Sequence, residues 1–259
     1  QRMTGIEANS GFLALALPFL AAALAPILTR FLKQHSCWVL ALAPAFAFLI
    51  FLGALPEVAG GNVFLFGLDW IPSFDVRFSF RLDGLSSTFA LLITGIGTLI
   101  ILYSGGYLAG HRDQGRFLSF MLMFMGAMLG LVMSDDLMTL IVYWELTSIT
   151  SFLLIGFDHE RGAARRGAIQ ALVITGGGGL ALMAGLIGIR ELTGLTSLSD
   201  VLAAGDALRE SSFYVPILIL VLAGAFTKSA QMPFHVWLPN AMEAPTPVSA
   251  LPSRSPTRH

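Results

Sequence analysis

Charge is scarce in this chain. Asp, Glu, Lys and Arg make up 12% of its 259 residues, about half of the roughly 25% usual in a soluble domain. That shortage of polar surface excludes a large water-soluble catalytic domain. Fifteen Lys and Arg against sixteen Asp and Glu leave a net charge of −1, so no excess of either sign exists to attract nucleic acid or an acidic substrate. Cysteine is nearly absent. Cys37 stands alone, which excludes a disulfide framework or a cysteine-based metal cluster and leaves it a packing role. No His, Cys or carboxylate spacing resembles a closed metal site, no Ser or Cys nucleophile has an evident His partner, and no redox or cofactor motif occurs. What the chain does have is apolar residues, 55% of the total, with a mean hydropathy of +0.76. It is a membrane protein.

A spanning helix needs about 20 predominantly apolar residues. Seven stretches qualify, at roughly 11–32, 36–55, 82–108, 117–133, 136–157, 167–189 and 213–231. The first is followed by Arg30 and Lys33 and shows no small-residue cleavage site, so it reads as a retained helix rather than a signal peptide. In the sixth, Gly177, Ala181, Gly185 and Ile189 form one stripe, extended by Ala184 and Gly188, where another backbone can approach closely. The Gly176–Gly179 run sits inside this apolar segment without a following Lys-Ser/Thr, so packing, not phosphate binding, is its role.

Between the second and third spans the period changes from helical to two. Val76, Phe78, Phe80 and Leu82 alternate with Arg77, Ser79, Arg81 and Asp83, which predicts a strand with the arginines toward solvent. The run 62–66 is its expected partner, across a turn containing Trp70 and Pro72, giving a small hairpin outside the lipid. Arg30, Lys33, Arg112, Arg116, Arg161, Arg165 and Arg166 fall in loops on one side, while the short loop Ser134–Asp136 has no basic residue, so the N-terminus is expected outside. The expected fold is an all-α polytopic membrane protein of about seven transmembrane helices, one of them discontinuous, with that β-hairpin.

Two charges stand where they are expensive. Glu145 lies mid-way along the fifth span, and an ionisable group at a helix centre costs roughly 3 kcal/mol to insert, so it needs a partner, a proton or a function. Thr147, Ser148, Thr150 and Ser151 are nearby hydroxyls available to it. Lys228 follows the apolar run 215–226 and precedes Pro233, after which apolar residues resume with Phe234, Val236, Trp237 and Leu238. A helix that breaks here and restarts presents freed carbonyls and an ammonium at depth, as in helices that line a cavity. His235 sits in the break, either as a proton carrier near neutral pH or as a spacer between Phe234 and Trp237. Asp83, Asp135 and Asp136 open helices and read as caps. His159, Glu160 and Arg161 read as a solvated loop.

Three segments carry a resemblance: SFRLDGLSSTFALLITGIGTLIILYSGGYL at 79–108, SDDLMTLIVYWELTSITSFLLIGFDHE at 134–160, and GAFTKSAQMPFHVWLPNAMEAPTPVSA at 224–250. Together they resemble the large A subunit of Mrp-type multisubunit cation/proton antiporters, whose wider family includes the antiporter-like proton-pumping subunits of respiratory complex I and membrane-bound hydrogenases. The choice of the Mrp A subunit rests on FTKSAQ, PFH and PNAMEAPTPVSA.

The resemblance implies that Glu145 and Lys228 are the buried pair that gates proton movement and that His235 lies along the hydrophilic path. It implies a secondary transporter subunit rather than an enzyme, partnered by other antiporter subunits, the lipid bilayer, protons and Na+ or another monovalent cation, in the plasma (inner) membrane of a bacterium. The alternatives are a proton-pumping membrane subunit of a complex I or hydrogenase-type oxidoreductase, and an inactive truncated or structural chain. Expected domains are residues 1–110, with three helices and a hairpin at about 62–81; residues 111–250, an incomplete antiporter-like repeat; and 251–259, a tail foreign to the family. Family members continue past PTPVSA with a helix bearing a histidine and a lysine, so LPSRSPTRH implies a truncated N-terminal part.

Overall fold

A computed structural model describes residues 5–71 and 76–242. The expected tail at 251–259, the APTPVSA segment and the Pro72 turn lie outside the described residues. Helices α1 (Gly5–Leu32) and α2 (Ser36–Ala59) are joined by a single 3-10 turn, Lys33–His35. A two-stranded antiparallel hairpin follows, β1 (Phe64–Ile71) and β2 (Val76–Leu82). Next come α3 (Gly84–Tyr107), α4 (Gln114–Met133), α5 (Leu137–Ile155) and α6 (Gly162–Thr193). The short α7 (Leu198–Ala203) and α8 (Gly205–Arg209) lead to α9 (Tyr214–Lys228), then a 3-10 turn at Phe234–Val236 and α10 (Trp237–Ala241).

Six helices, α1 to α6, are long and apolar enough to cross a membrane. The seventh expected span is α9, an apolar helix of only 15 residues that stops at Lys228 rather than running to 231. α6 is longer than expected at 32 residues, about 48 Å at 1.5 Å per residue, and ends where Gly194 takes up a left-handed φ of +69°.

Burial runs opposite to that of a water-soluble fold. Leu20, Leu24 and Ile27 of α1, Leu92, Ile96 and Leu99 of α3, and Val173 and Leu180 of α6 are exposed, whereas Ser86, Thr94 and Ser104 of α3 are buried. Two of these inward hydroxyls donate to carbonyls one turn back, Thr94 to Ala90 at 2.6 Å and Ser104 to Ile100 at 2.7 Å, so each is satisfied within its own helix. Helices α1 to α4 pack around a core that includes Leu40, Ile101, Phe117, Leu118 and Leu122, and α6 packs on both α5 and α9.

The hairpin has the expected period. Phe66 faces Phe80 across the ladder, and the inner row of Phe64, Phe66, Phe80 and Leu82 is buried against the edge of Phe12 from α1. Arg77 is exposed and pairs with Asp69 at 2.9 Å, and Arg81 pairs with Asp83 at 3.1 Å. β1 runs beyond 66 to Ile71, so Trp70 belongs to the strand rather than to a turn. The cause is cross-strand pairing, because Trp70 stacks on Phe78 at 4.7 Å beside the Asp69–Arg77 pair.

The α4–α5 junction is tied on two sides. The Asp135 amide donates to the Ser79 carbonyl of β2 at 2.9 Å, and the Leu137 amide donates to the Thr196 carbonyl at 2.9 Å. Leu198 donates its amide to the Asp135 carbonyl, while the Asp135 carboxylate accepts from Ser197 Oγ at 3.0 Å and from Ser199 Oγ at 3.0 Å. Asp136 caps α5, accepting from the amides of Met138 and Thr139 at 2.9 Å each. Asp83 closes a reciprocal capping box with Ser86 on α3. Asp83 and Asp136 are the expected caps; Asp135 instead fastens a loop.

Candidate functional site

Glu145 is the ninth residue of the 19-residue α5, deep between that helix's two ends. Its half-buried carboxylate leans onto α6, where Oε1 fills the space that a side chain at Gly179 would need. The adjacent Gly178 receives Thr227 of α9 in the same way. Two neighbouring glycines on α6 thus admit the chemistry-bearing faces of α5 and α9 side by side. The close-packed stripe contains Thr175, Gly178, Leu182, Gly185 and Ile189, all buried, whereas Gly177 has open space around it and Ala184 is exposed. The expected stripe through Gly177 and Ala181 is therefore displaced: α6 is rotated so that Gly178, not Gly177, meets α9.

Lys228 is the last residue of α9 and half-buried. Its Nζ donates to Ser148 Oγ at 2.8 Å, lies 3.5 Å from the Trp144 carbonyl oxygen and sits 5.6 Å from the centroid of the Trp144 ring. No direct ion pair joins it to Glu145 among the described residues, although the two charges act on each other across the gap. Nor do the nearby hydroxyls serve Glu145. Thr147 and Ser148 donate to the Trp144 carbonyl at 2.7 and 3.3 Å, Thr150 to the Leu146 carbonyl at 2.7 Å and Ser151 to the Thr147 carbonyl at 2.7 Å. Each finds a carbonyl on its own helix closer to hand than a side chain at 145.

The break after Lys228 is built from specific contacts. Ala230 adopts a left-handed φ of +51°, which ends α9, and the Thr227 carbonyl accepts from the Trp237 indole Nε1 at 2.9 Å. That bond satisfies one of the carbonyls a helix C-terminus leaves open. Asn240 Nδ2 donates to Gln170 Oε1 at 2.6 Å, anchoring α10 on α6. His235 lies in the 3-10 turn with its side chain exposed, and among the described residues no hydrogen bond joins it to Glu145 or Lys228. No three His, Cys, Asp or Glu side chains gather as a metal site among the described residues.

Sequence reasoning selects Lys228 and Glu145 but misses Trp144 and Ser148 as the surfaces the lysine touches, and Trp237 as the brace of the break. The signal is present in part, since Trp144 and Ser148 stand at i and i+4 and so share one face of α5.

Known proteins share this arrangement. Residues 134–254 match the family described as NADH:quinone oxidoreductase/Mrp antiporter, TM. Residues 70–118 match the one described as NADH-Ubiquinone oxidoreductase (complex I), chain 5 N-terminus. Over 239 residues, 92% of the chain, it is 46% identical to the A1 subunit of the Na(+)/H(+) antiporter of Staphylococcus haemolyticus and 45% identical to that of Staphylococcus aureus. The chain belongs to the family of Mrp-type A subunits. It spans about 30% of the length of these curated relatives. Within this family it superposes on a chain of the Mrp complex from Dietzia sp. DQ12-45-1b with a TM-score of 0.83 at 35% identity, covering 93% of this chain and 26% of that one. The same fold recurs in the archaeal membrane-bound sulfane sulfur reductase, with a TM-score of 0.77 at 21% identity, covering 92% and 49%.

Proposed function

We propose that this chain forms the N-terminal, proton-handling part of one component of a multisubunit Na+/H+ antiporter in a bacterial plasma membrane, working with the other components of that complex. The observation that carries the reading is the ammonium of Lys228 at the broken end of α9, set against α5 within electrostatic reach of Glu145. The names of the curated relatives and the likeness to the Dietzia complex support the same reading.

In this mechanism the lysine is the proton-exchanging group and Glu145 its switchable counter-charge. A carboxylate near the ammonium favours the charged lysine, and separation in a low-dielectric setting favours release of its proton. Proton uptake and release thus alternate with approach and separation. His235, on the exposed turn after the break, passes protons between this pair and the rest of the path. The proton-handling segment comprises residues 111–250, and the hairpin and first three helices support it.

The test is gradient-driven proton flux in vesicles containing the assembled complex. Glu145→Ala and Lys228→Ala should each abolish most of the flux while the complex still assembles. Normal flux in assembled Glu145→Ala complexes would mean that the acid is structural, leaving the chain only a packing role. The rival reading, a membrane component of a complex I-type oxidoreductase, is favoured by the match of residues 70–118. It requires flux driven by electron transfer instead of by an ion gradient.

A further inference from the structure

Lys228 is not simply a charge near the wall of α5; it is seated there. An ammonium has three hydrogens to place. One goes to Ser148 Oγ at 2.8 Å, a second faces the Trp144 carbonyl oxygen at an Nζ distance of 3.5 Å, and the charge sits 5.6 Å from the centre of the Trp144 ring. Ser148 is itself aimed: its hydroxyl donates to the Trp144 carbonyl at 3.3 Å, which leaves its lone pairs for the lysine. Ser148 is buried. The same tryptophan touches the acid's side of the site, because Trp144 Cδ1 and Glu145 Oε1 both border the gap at Gly179. Its indole Nε1 is buried and makes no hydrogen bond among the described residues.

We propose that Ser148 and Trp144 form a second seat for the Lys228 ammonium, alternative to Glu145, and that Ser148 is the positioning residue that holds the lysine there. This rests on the reading of Lys228 as the proton-exchanging group. A lysine that leaves a carboxylate in a poorly solvated site loses most of its stabilisation at once. A neutral seat of one hydroxyl, one carbonyl and one aromatic face retains part of it through hydrogen bonding and cation–π attraction. The seat thereby sets the pH at which the separated lysine gives up its proton. Trp144 supplies a fixed backbone acceptor and ring, and Ser148 the adjustable contact, so the serine is where the setting can be changed.

The experiment measures proton flux against pH in vesicles holding the assembled complex, with Ser148→Ala, Ser148→Thr and Ser148→Cys beside Glu145→Ala and Lys228→Ala. Removing the hydroxyl acceptor weakens the charged form of the lysine, so the alkaline limb of the Ser148→Ala profile should move to lower pH by about one to two units. Ser148→Thr, which keeps the hydroxyl, should restore the original profile. Ser148→Cys, with a weaker acceptor of similar shape, should give a smaller shift in the same direction. A general packing defect would lower flux at every pH without moving the limb. An unshifted limb in assembled Ser148→Ala complexes, or in Ser148→Cys should the alanine variant not assemble, overturns the seat, as does a threonine variant shifted as far as alanine. These outcomes are read only against Glu145→Ala and Lys228→Ala. If those two lose flux while Ser148 variants keep the parent profile, the seat fails alone; if those two transport normally, the underlying reading and the seat fail together.

Discussion

Glu145 Oε1 rests in the hollow left by the missing side chain of Gly179. A methyl group at 179 cannot share that space, so Gly179→Ala must push the carboxylate off α6 or part the two helices. Overpacking of this kind costs about 1–3 kcal/mol. Proton flux should fall strongly in Gly179→Ala while Gly177→Ala, whose added methyl meets open space, should leave flux unchanged. Flux assays on both variants, with assembly checked by gel filtration, decide it; equal behaviour of the two would show that the hollow does not matter.

If Glu145 and Lys228 act as one switch, their losses are not additive. The Glu145→Ala/Lys228→Ala double variant should transport scarcely less than either single variant. Glu145→Asp should keep part of the flux, the charge being retained with shorter reach. His235→Ala should slow flux less than either, since its exposed position lets water bridge a missing relay group. Initial flux rates across this set test the coupling, and losses that simply multiply would argue against a shared switch.

Trp237→Phe keeps an aromatic ring but removes the donor that reaches the Thr227 carbonyl at 2.9 Å. A neutral hydrogen bond contributes about 1 kcal/mol net, so amide exchange over residues 229–236 should quicken roughly fivefold. Hydrogen-exchange mass spectrometry of the complex in detergent measures this, and unchanged protection would mean the break is held by other contacts.

The two helix-capping aspartates should respond to pH in opposite senses. At Asp83 burial pushes the carboxyl up, but hydrogen bonds from the Ser86 amide and hydroxyl, together with Arg81, hold it below its ordinary value. Its folded-state value is depressed, so its stabilisation is complete above the unfolded value of about 3.9 and is lost as pH falls through the folded one. Asp83→Ala should cost about 1 kcal/mol at neutral pH, and the deficit should shrink in acid. At Asp136 burial outweighs the bonds from Thr139 and Met138 and raises the carboxyl. There the folded protein holds the proton more tightly, ionisation at neutral pH is a cost, and acidification through the folded value recovers it. Asp136→Asn, which keeps a capping oxygen without the charge, should be neutral or slightly stabilising at neutral pH. Thermal unfolding of the detergent-solubilised complex at neutral and acidic pH compares the two.

The sequence is legible where the physics is local. The period of two at Val76–Leu82, the apolar runs of α1 to α6, and the capping aspartates before α3 and α5 all depend on near neighbours along the chain. Glu145 and Lys228 stand out because a charge in an apolar run needs no tertiary knowledge to be conspicuous. What the lysine touches is not readable in that way. It depends on how α5 and α9 are rotated about their axes, and one residue of rotation, about 100°, separates Gly177 from Gly178 and the hydroxyls that meet Lys228 from those that do not. Trp70 escapes a local reading for a similar reason, since its strand position comes from Phe78 on the opposite strand.

The fastening of the α4–α5 junction assigns the moving parts. To slide along its axis, α5 must break the backbone bonds Asp135–Ser79, Leu137–Thr196 and Leu198–Asp135 together, along with the serine clasp on the Asp135 carboxylate. α9 is more lightly moored at its broken end, where an indole donor and a left-handed alanine hold the chain after Lys228. α5 is then the stator that carries Glu145, Trp144 and Ser148 as fixed stations, and the stroke belongs to the tip of α9, which carries Lys228 from one station to the next.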